Sequence, residues 1–142
     1  MKKFILITFL TLIMIIPCHS YAQSHLFHTY DEVISWCKQR SYNYVDEKSV
    51  ITGAFMISYF DPTNNSKTWF AFDNISKICI YFAYLSPNSD LELSRKTLSN
   101  MYQKVGYDEW LYKTTKSKVK ITITQSEEAP SHFMIIFRTV PN

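Results

Sequence analysis

The sequence predicts an α+β domain in which a helix followed by three strands occurs twice, forming one antiparallel sheet with both helices on one face. Three observations predict it. Two segments combine capping-box starts with helical apolar spacing. Six short runs are rich in β-branched and aromatic residues, and the turns between them are only a few residues long. The recurrence of helix-plus-strands suggests an internal duplication. Short loops throughout leave no linker, so residues 23–142 read as a single domain behind a leader at 1–22.

The leader is expected from the order of its parts. Lys2 and Lys3 are followed by an apolar run of 13 residues from Phe4 to Ile16, then Pro17 and the small-residue pattern Ser20-Tyr21-Ala22. That order matches a signal peptide cleaved after Ala22, and the run falls short of the roughly 20 residues needed to cross a membrane. The expected location is the periplasm or the exterior, with no transmembrane segment after cleavage. Cys18 offers a lipid-anchored alternative, for which Ile16 and Pro17 are a poor lead-in. Without Lys2 and Lys3 there remain 13 basic against 12 acidic side chains, so the chain lacks the basic surplus that nucleic-acid binding requires.

The first helix begins at the Thr29-Tyr30-Asp31-Glu32 capping box and carries Tyr30, Val33, Ile34 and Cys37 on one face. Strands are expected over Val50–Phe60, Lys67–Asp73 and Lys77–Leu85, separated by the turn cluster 61–66 and by Asp73-Asn74. A second helix opens at Ser89, with Glu92 as its capping partner, and Gly106 is expected as its left-handed stop. Glu109–Thr114, Lys118–Thr124 and Phe133–Val140 complete the sheet. Val119, Ile121 and Ile123 alternate with polar residues and face inward.

Little in the sequence points to catalysis. With only 2 glycines, phosphate-cradling loops are excluded. There is no Gly-x-Ser-x-Gly and no Cys-x-x-Cys. An enzyme reading therefore needs His132 to meet Cys37 or Cys79 in a cleft. Cys37 and Cys79 also raise a disulfide, worth about 4 kcal/mol by chain entropy. If Ile78, Ile80 and Phe82 form the inner face, Cys79 lies opposite with Tyr81 and Ala83, away from Cys37, so a bridge and two unpaired buried thiols both stand as readings. Cleavage after Ala22 would expose Gln23-Ser24-His25, whose amine, two deprotonated amides and imidazole suit Cu(II) or Ni(II), copper being the metal weighed for a role. Lys113, Lys116, Lys118 and Lys120 read as a solvated hairpin rim, with attraction to anionic lipid or polysaccharide as the alternative.

Aromatic residues carry the functional reading. Phe55, Phe70, Phe72, Phe82, Phe133 and Phe137 fit a helix-covered core. Trp69, Tyr81, Trp110 and Tyr112 fall where they can line the other sheet face, and half-buried aromatics with polar tips are typical interface anchors.

The run Phe72-Asp73, Cys79, Tyr81, Leu98, Asn100, Tyr102, Val105 and Trp110 resembles small exported proteins of unknown function from gut bacteria, over about half of the chain after the leader. The resemblance implies an exported one-domain α+β protein and brings no activity. The doubled layout is also similar in outline to the tandem repeat of the β-lactamase inhibitory proteins, without shared motifs. The expectation is a non-enzymatic module that binds a protein or glycan of the cell envelope through its aromatic sheet face. An inhibitor or immunity-type protein is one form of that. A small envelope enzyme and an N-terminal copper binder are the alternatives.

Overall fold

The computed structural model describes residues 25–48, 55–63, 65–115 and 117–140. The expected leader, Gln23, Ser24 and the first residues of the predicted Val50–Phe60 strand lie outside them.

The predicted helix-plus-three-strands repeat is not what forms. Most of the described residues belong to a single eight-stranded antiparallel sheet accompanied by only two short helices. In chain order these are α1 (Tyr30–Gln39), β1 (Tyr44–Lys48), β2 (Phe55–Asp61), β3 (Ser66–Phe72), β4 (Cys79–Pro87), α2 (Leu91–Met101), β5 (Gln103–Gly106), β6 (Glu109–Lys113), β7 (Lys118–Gln125) and β8 (His132–Val140). Each half contains a fourth strand that the sequence reading lacked, β1 in one and β5 in the other. The spatial order is β1-β2-β3-β4-β8-β7-β6-β5, so two four-stranded meanders join along β4 and β8 and leave β1 and β5 as edges.

The N-terminus of α1 is held by the predicted capping box. The Glu32 N–H donates to Thr29 Oγ1 at 3.3 Å, and the Thr29 N–H donates to Glu32 Oε2 at 2.7 Å. Its other end closes with Ser41 in the left-handed region (φ 55°). The Ser41 N–H donates to the Lys38 carbonyl at 3.1 Å and the Tyr42 N–H to the Cys37 carbonyl at 3.0 Å, so two otherwise orphaned carbonyls are satisfied.

The second helix departs from its prediction at both ends. Asn88–Asp90 form a 3-10 turn, and Asp90 precedes α2 without a side-chain cap, so Ser89 and Glu92 do not form the expected box. Tyr102 ends the helix in extended backbone, and Gly106 belongs to β5 rather than to a helix stop. A fork tethers α2 to the β5–β6 turn instead: Arg95 Nε and Nη2 donate to the two Asp108 carboxylate oxygens at 2.7 and 2.6 Å.

Register shows which side chains share a face, because directly paired residues point to the same side. One row runs Ile57, Phe70, Phe82, Phe137, Ile121 and Trp110 across six strands. This is the core face. Val33 and Cys37 of α1 and Leu98 of α2 are buried in the same cluster, so both helices lie against it.

A bulge decides the position of Cys79. Phe70 pairs with Phe82 and Ala71 with Tyr81, but Phe72 pairs with Cys79, which leaves Ile80 as the extra residue. The alternation of β4 therefore breaks at Ile80. Cys79 turns into the core with Phe82, and Ile80 is exposed. This corrects the predicted placement of Cys79 on the outer face.

Candidate binding face

The rows adjacent to the core rows point away from both helices. One runs Ser58, Trp69, Ala83, Ile136, Thr122 and Glu109. The next runs Met56, Ala71, Tyr81, Arg138, Lys120 and Leu111. Leu85 pairs with Met134, and Phe60 with Lys67, toward one end. Met56, Trp69, Tyr81 and Ile136 of these rows do not belong to the core cluster that both helices join.

Trp69 and Tyr81 stand on neighbouring strands, each beside a small residue of the other's strand: Trp69 pairs with Ala83, and Tyr81 with Ala71. Both rings are half-buried, whereas Ser58 and Ala83, which flank Trp69 on the neighbouring strands, are closed off. Small residues beside large ones let the rings lie over the sheet rather than stand free of it. Lys67 Nζ sits 5.0 Å from the Trp69 ring centroid, a cation–π contact. Burial pushes the Tyr81 hydroxyl above its ordinary pKa, and the nearby Arg138 guanidinium opposes that shift.

Apolar and charged parts of this face are segregated. Met56, Phe60, Trp69, Tyr81, Leu85, Met134 and Ile136 lie on β2, β3, β4 and β8. Arg138 of β8, Lys120 and Lys118 of β7 and Lys113 of β6 form a cationic flank, in which, among the described residues, only Lys120 is matched by an acid, Glu109, at 2.8 Å.

The four predicted anchors do not act together. Trp69 and Tyr81 share the outward face, but Trp110 and Tyr112 lie on the helix side. Trp110 is fully buried, and its indole N–H donates to Ser99 Oγ of α2 at 3.1 Å. Tyr112 stands edge-on to Tyr102, with ring centroids 5.8 Å apart. The cause is register. Trp110 pairs with Ile121 and Tyr112 with Val119, and those partners were already read as inward-facing. The outer-face residues that sequence reasoning missed include Met56, Phe60, Leu85, Met134, Ile136 and Arg138.

Cys37 and Cys79 are both free and fully closed off from solvent on the same side of the sheet, so the bridge is not formed. Burial pushes their thiols up to about 11 and about 12, far from a reactive thiolate at neutral pH. His132 opens β8 opposite Pro87, at the far end of β4 from Cys79, and its Nδ1 lies 2.9 Å from Ser131 Oγ. The eight residue steps of β4 separate the two by about 26 Å, so no Cys79–His132 pair exists.

Of the copper triplet, Gln23 and Ser24 lie outside the described residues. His25 is buried against Trp36, Phe70 and Phe82, with centroid distances of 4.4, 5.4 and 6.1 Å. Its Nε2 has no hydrogen-bond partner among the described residues, and burial, with His28 and Arg40 adding repulsion, lowers its pKa to about 4. No cluster of three or more metal-ligating side chains occurs among the described residues.

The chain matches no protein-family model, no curated protein and no solved structure. No described helix is long and apolar enough to cross a membrane.

Proposed function

We propose that this protein is a binding module that performs no chemistry itself and docks an envelope protein through the sheet face opposite its helices. The observation that carries the reading is the half-buried Trp69–Tyr81 pair, set in an apolar field and bordered by Arg138 and Lys120. Aromatic and arginine side chains at the centre of a contact dominate binding energy, and a cationic flank steers an acidic partner toward it. An inhibitor or immunity-type protein, which works by covering another protein's surface, is one form of this function. An exported, gut-bacterial origin is compatible with it, and glycan is the lesser candidate for the partner.

The test is recovery of a partner from envelope extracts with the wild-type protein, Trp69→Ala, Arg138→Glu and a control, Leu93→Ala, on the exposed side of α2. The purified partner's affinity is then measured by calorimetry. Wild type and Leu93→Ala should hold the same species, and Trp69→Ala should lose about tenfold or more in affinity, the effect of about 1.4 kcal/mol. Equal affinity for all four proteins would overturn the assignment of this face.

A further inference from the structure

A concave site lies on the helix side of the sheet, where the start of α1 meets the β1 edge. Its cavity of about 400 Å³ is lined by Thr29, Tyr30, Asp31, Asp46, Phe55 and Lys77. That volume lies within the range of small-molecule sites, about 300–1,000 Å³.

Local structure fixes these residues in place. Asp73 Oδ1 accepts from the Ile75 N–H at 3.1 Å, from the Ser76 N–H at 2.8 Å and from the Ser76 hydroxyl at 2.8 Å, which shapes the turn before β4. Lys77 ends that turn in the left-handed region (φ 56°), and its carbonyl accepts from the Tyr30 N–H at 2.9 Å. This joins the turn to the first residue of α1. Tyr30 packs edge-on to Phe72 at 5.3 Å and to Phe55 at 6.4 Å, and its hydroxyl donates to Asp46 Oδ2.

The chemistry of the lining is unbalanced. It has two carboxylates, Asp31 and Asp46, neither of which takes part in an ion pair among the described residues. It has two aromatic rings, whose faces also attract positive charge. The one cation among its described lining residues is already engaged: Lys77 Nζ lies 3.4 Å from the Phe55 ring centroid. The partial positive charge at the start of α1 would favour an anion, but Asp31 and Glu32 in the first helical turn offset it. An anionic ligand would meet those carboxylates and Asp46.

We propose that this cavity binds a small alkylammonium group, with the charge against Asp46 and Asp31 and the alkyl part against Tyr30 and Phe55. Lys77 on Phe55 is a tethered example of the same chemistry and competes with the ligand for that ring. A free amine and the lysine side chain of a peptide both carry the required group.

The test titrates the full chain with n-butylammonium, N-acetyl-lysine methylamide and, as a neutral control, n-butanol, following ring resonances by NMR. Both ammonium probes, or one of them, should saturate at least about fivefold more tightly than butanol. Binding by the lysine amide identifies a peptide source, and binding by butylammonium alone a free amine. Asp46→Asn should weaken the ammonium probe about fivefold, and Lys77→Met, which frees the Phe55 ring and removes a like charge, should tighten it about threefold. Butanol binding as well as butylammonium overturns the proposal without recourse to any variant. So does an unchanged affinity in Asp46→Asn, or weaker ammonium binding in Lys77→Met, since the lysine would then not be competing with the ligand for the Phe55 ring.

Discussion

Alanine at position 110 and alanine at position 69 remove the same indole from opposite sides of one sheet, and the two losses should differ several-fold. Trp110 is fully closed off, lies in the core row beside Ile121, and donates to Ser99 Oγ at 3.1 Å. Truncating a fully buried tryptophan costs about 3–5 kcal/mol through lost transfer energy and the cavity left behind. Trp69 is half-buried over small residues that water can cover when it is gone, so its removal should cost about 1 kcal/mol. With about 4 °C in Tm per kcal/mol for a domain of this size, Trp110→Ala should melt about 12–20 °C below wild type and Trp69→Ala about 4 °C below. Urea midpoints and calorimetric Tm values measured on both variants decide the matter. A Trp110→Ala shift no larger than that of Trp69→Ala would show that β6 presents its other face to the helices, and the face assignment would fall with it.

Ser41→Gly should stabilise the protein by about 0.5–1 kcal/mol, because the left-handed conformation costs a side-chain-bearing residue about 1–2 kcal/mol and glycine returns only part of that as chain entropy; a lowered urea midpoint would contradict the cap. In protein beginning at Gln23, Cys37 and Cys79 should resist a thiol reagent at pH 8 and both react after unfolding, whereas rapid labelling of the native protein would refute their burial. His25 should couple stability to pH. Its folded pKa of about 4 lies below the ordinary 6.5, so the unfolded chain takes up the proton first. Stability is then complete above pH 6.5 and falls by up to about 3 kcal/mol as pH drops toward 4. Urea midpoints at pH 7.5 and 4.5 should converge in His25→Phe, and an unchanged gap would exclude His25 as the cause.

The six interior strands and α1 were legible because their signals are local. Alternation in Val119, Ile121 and Ile123 and the Thr29–Glu32 box each depend on residues a few positions apart. The strands that were missed, β1 and β5, are the two edges of the sheet. Edge strands carry charge and little apolar alternation, as Asp46-Glu47-Lys48 does, and so lack the signature of a strand buried on one face. The four residues of β5 were absorbed into the tail of the preceding helical pattern.

The candidate site was half legible for a related reason. Trp69 and Tyr81 follow from the alternation of their own strands, but placing Trp110 relative to them requires the β6–β7 register, and no local signal sets it. Once Trp110 is aligned with Ile121 it must point inward. The bulge at Ile80 was equally hidden, since one inserted residue reverses the facing of Cys79 without changing the composition of β4.

The junction between the halves has a consequence for assembly. All hairpins connect neighbours along the chain, and only the seam of β4 with β8 brings together strands separated by an entire half of the domain. Each meander can therefore form alone at low entropic cost, and zipping the midline is the slow, cooperative step. Until it closes, each half presents a bare strand with hydrogen-bonding groups unmet. A partly folded chain would be most vulnerable to pairing with a second copy along that line.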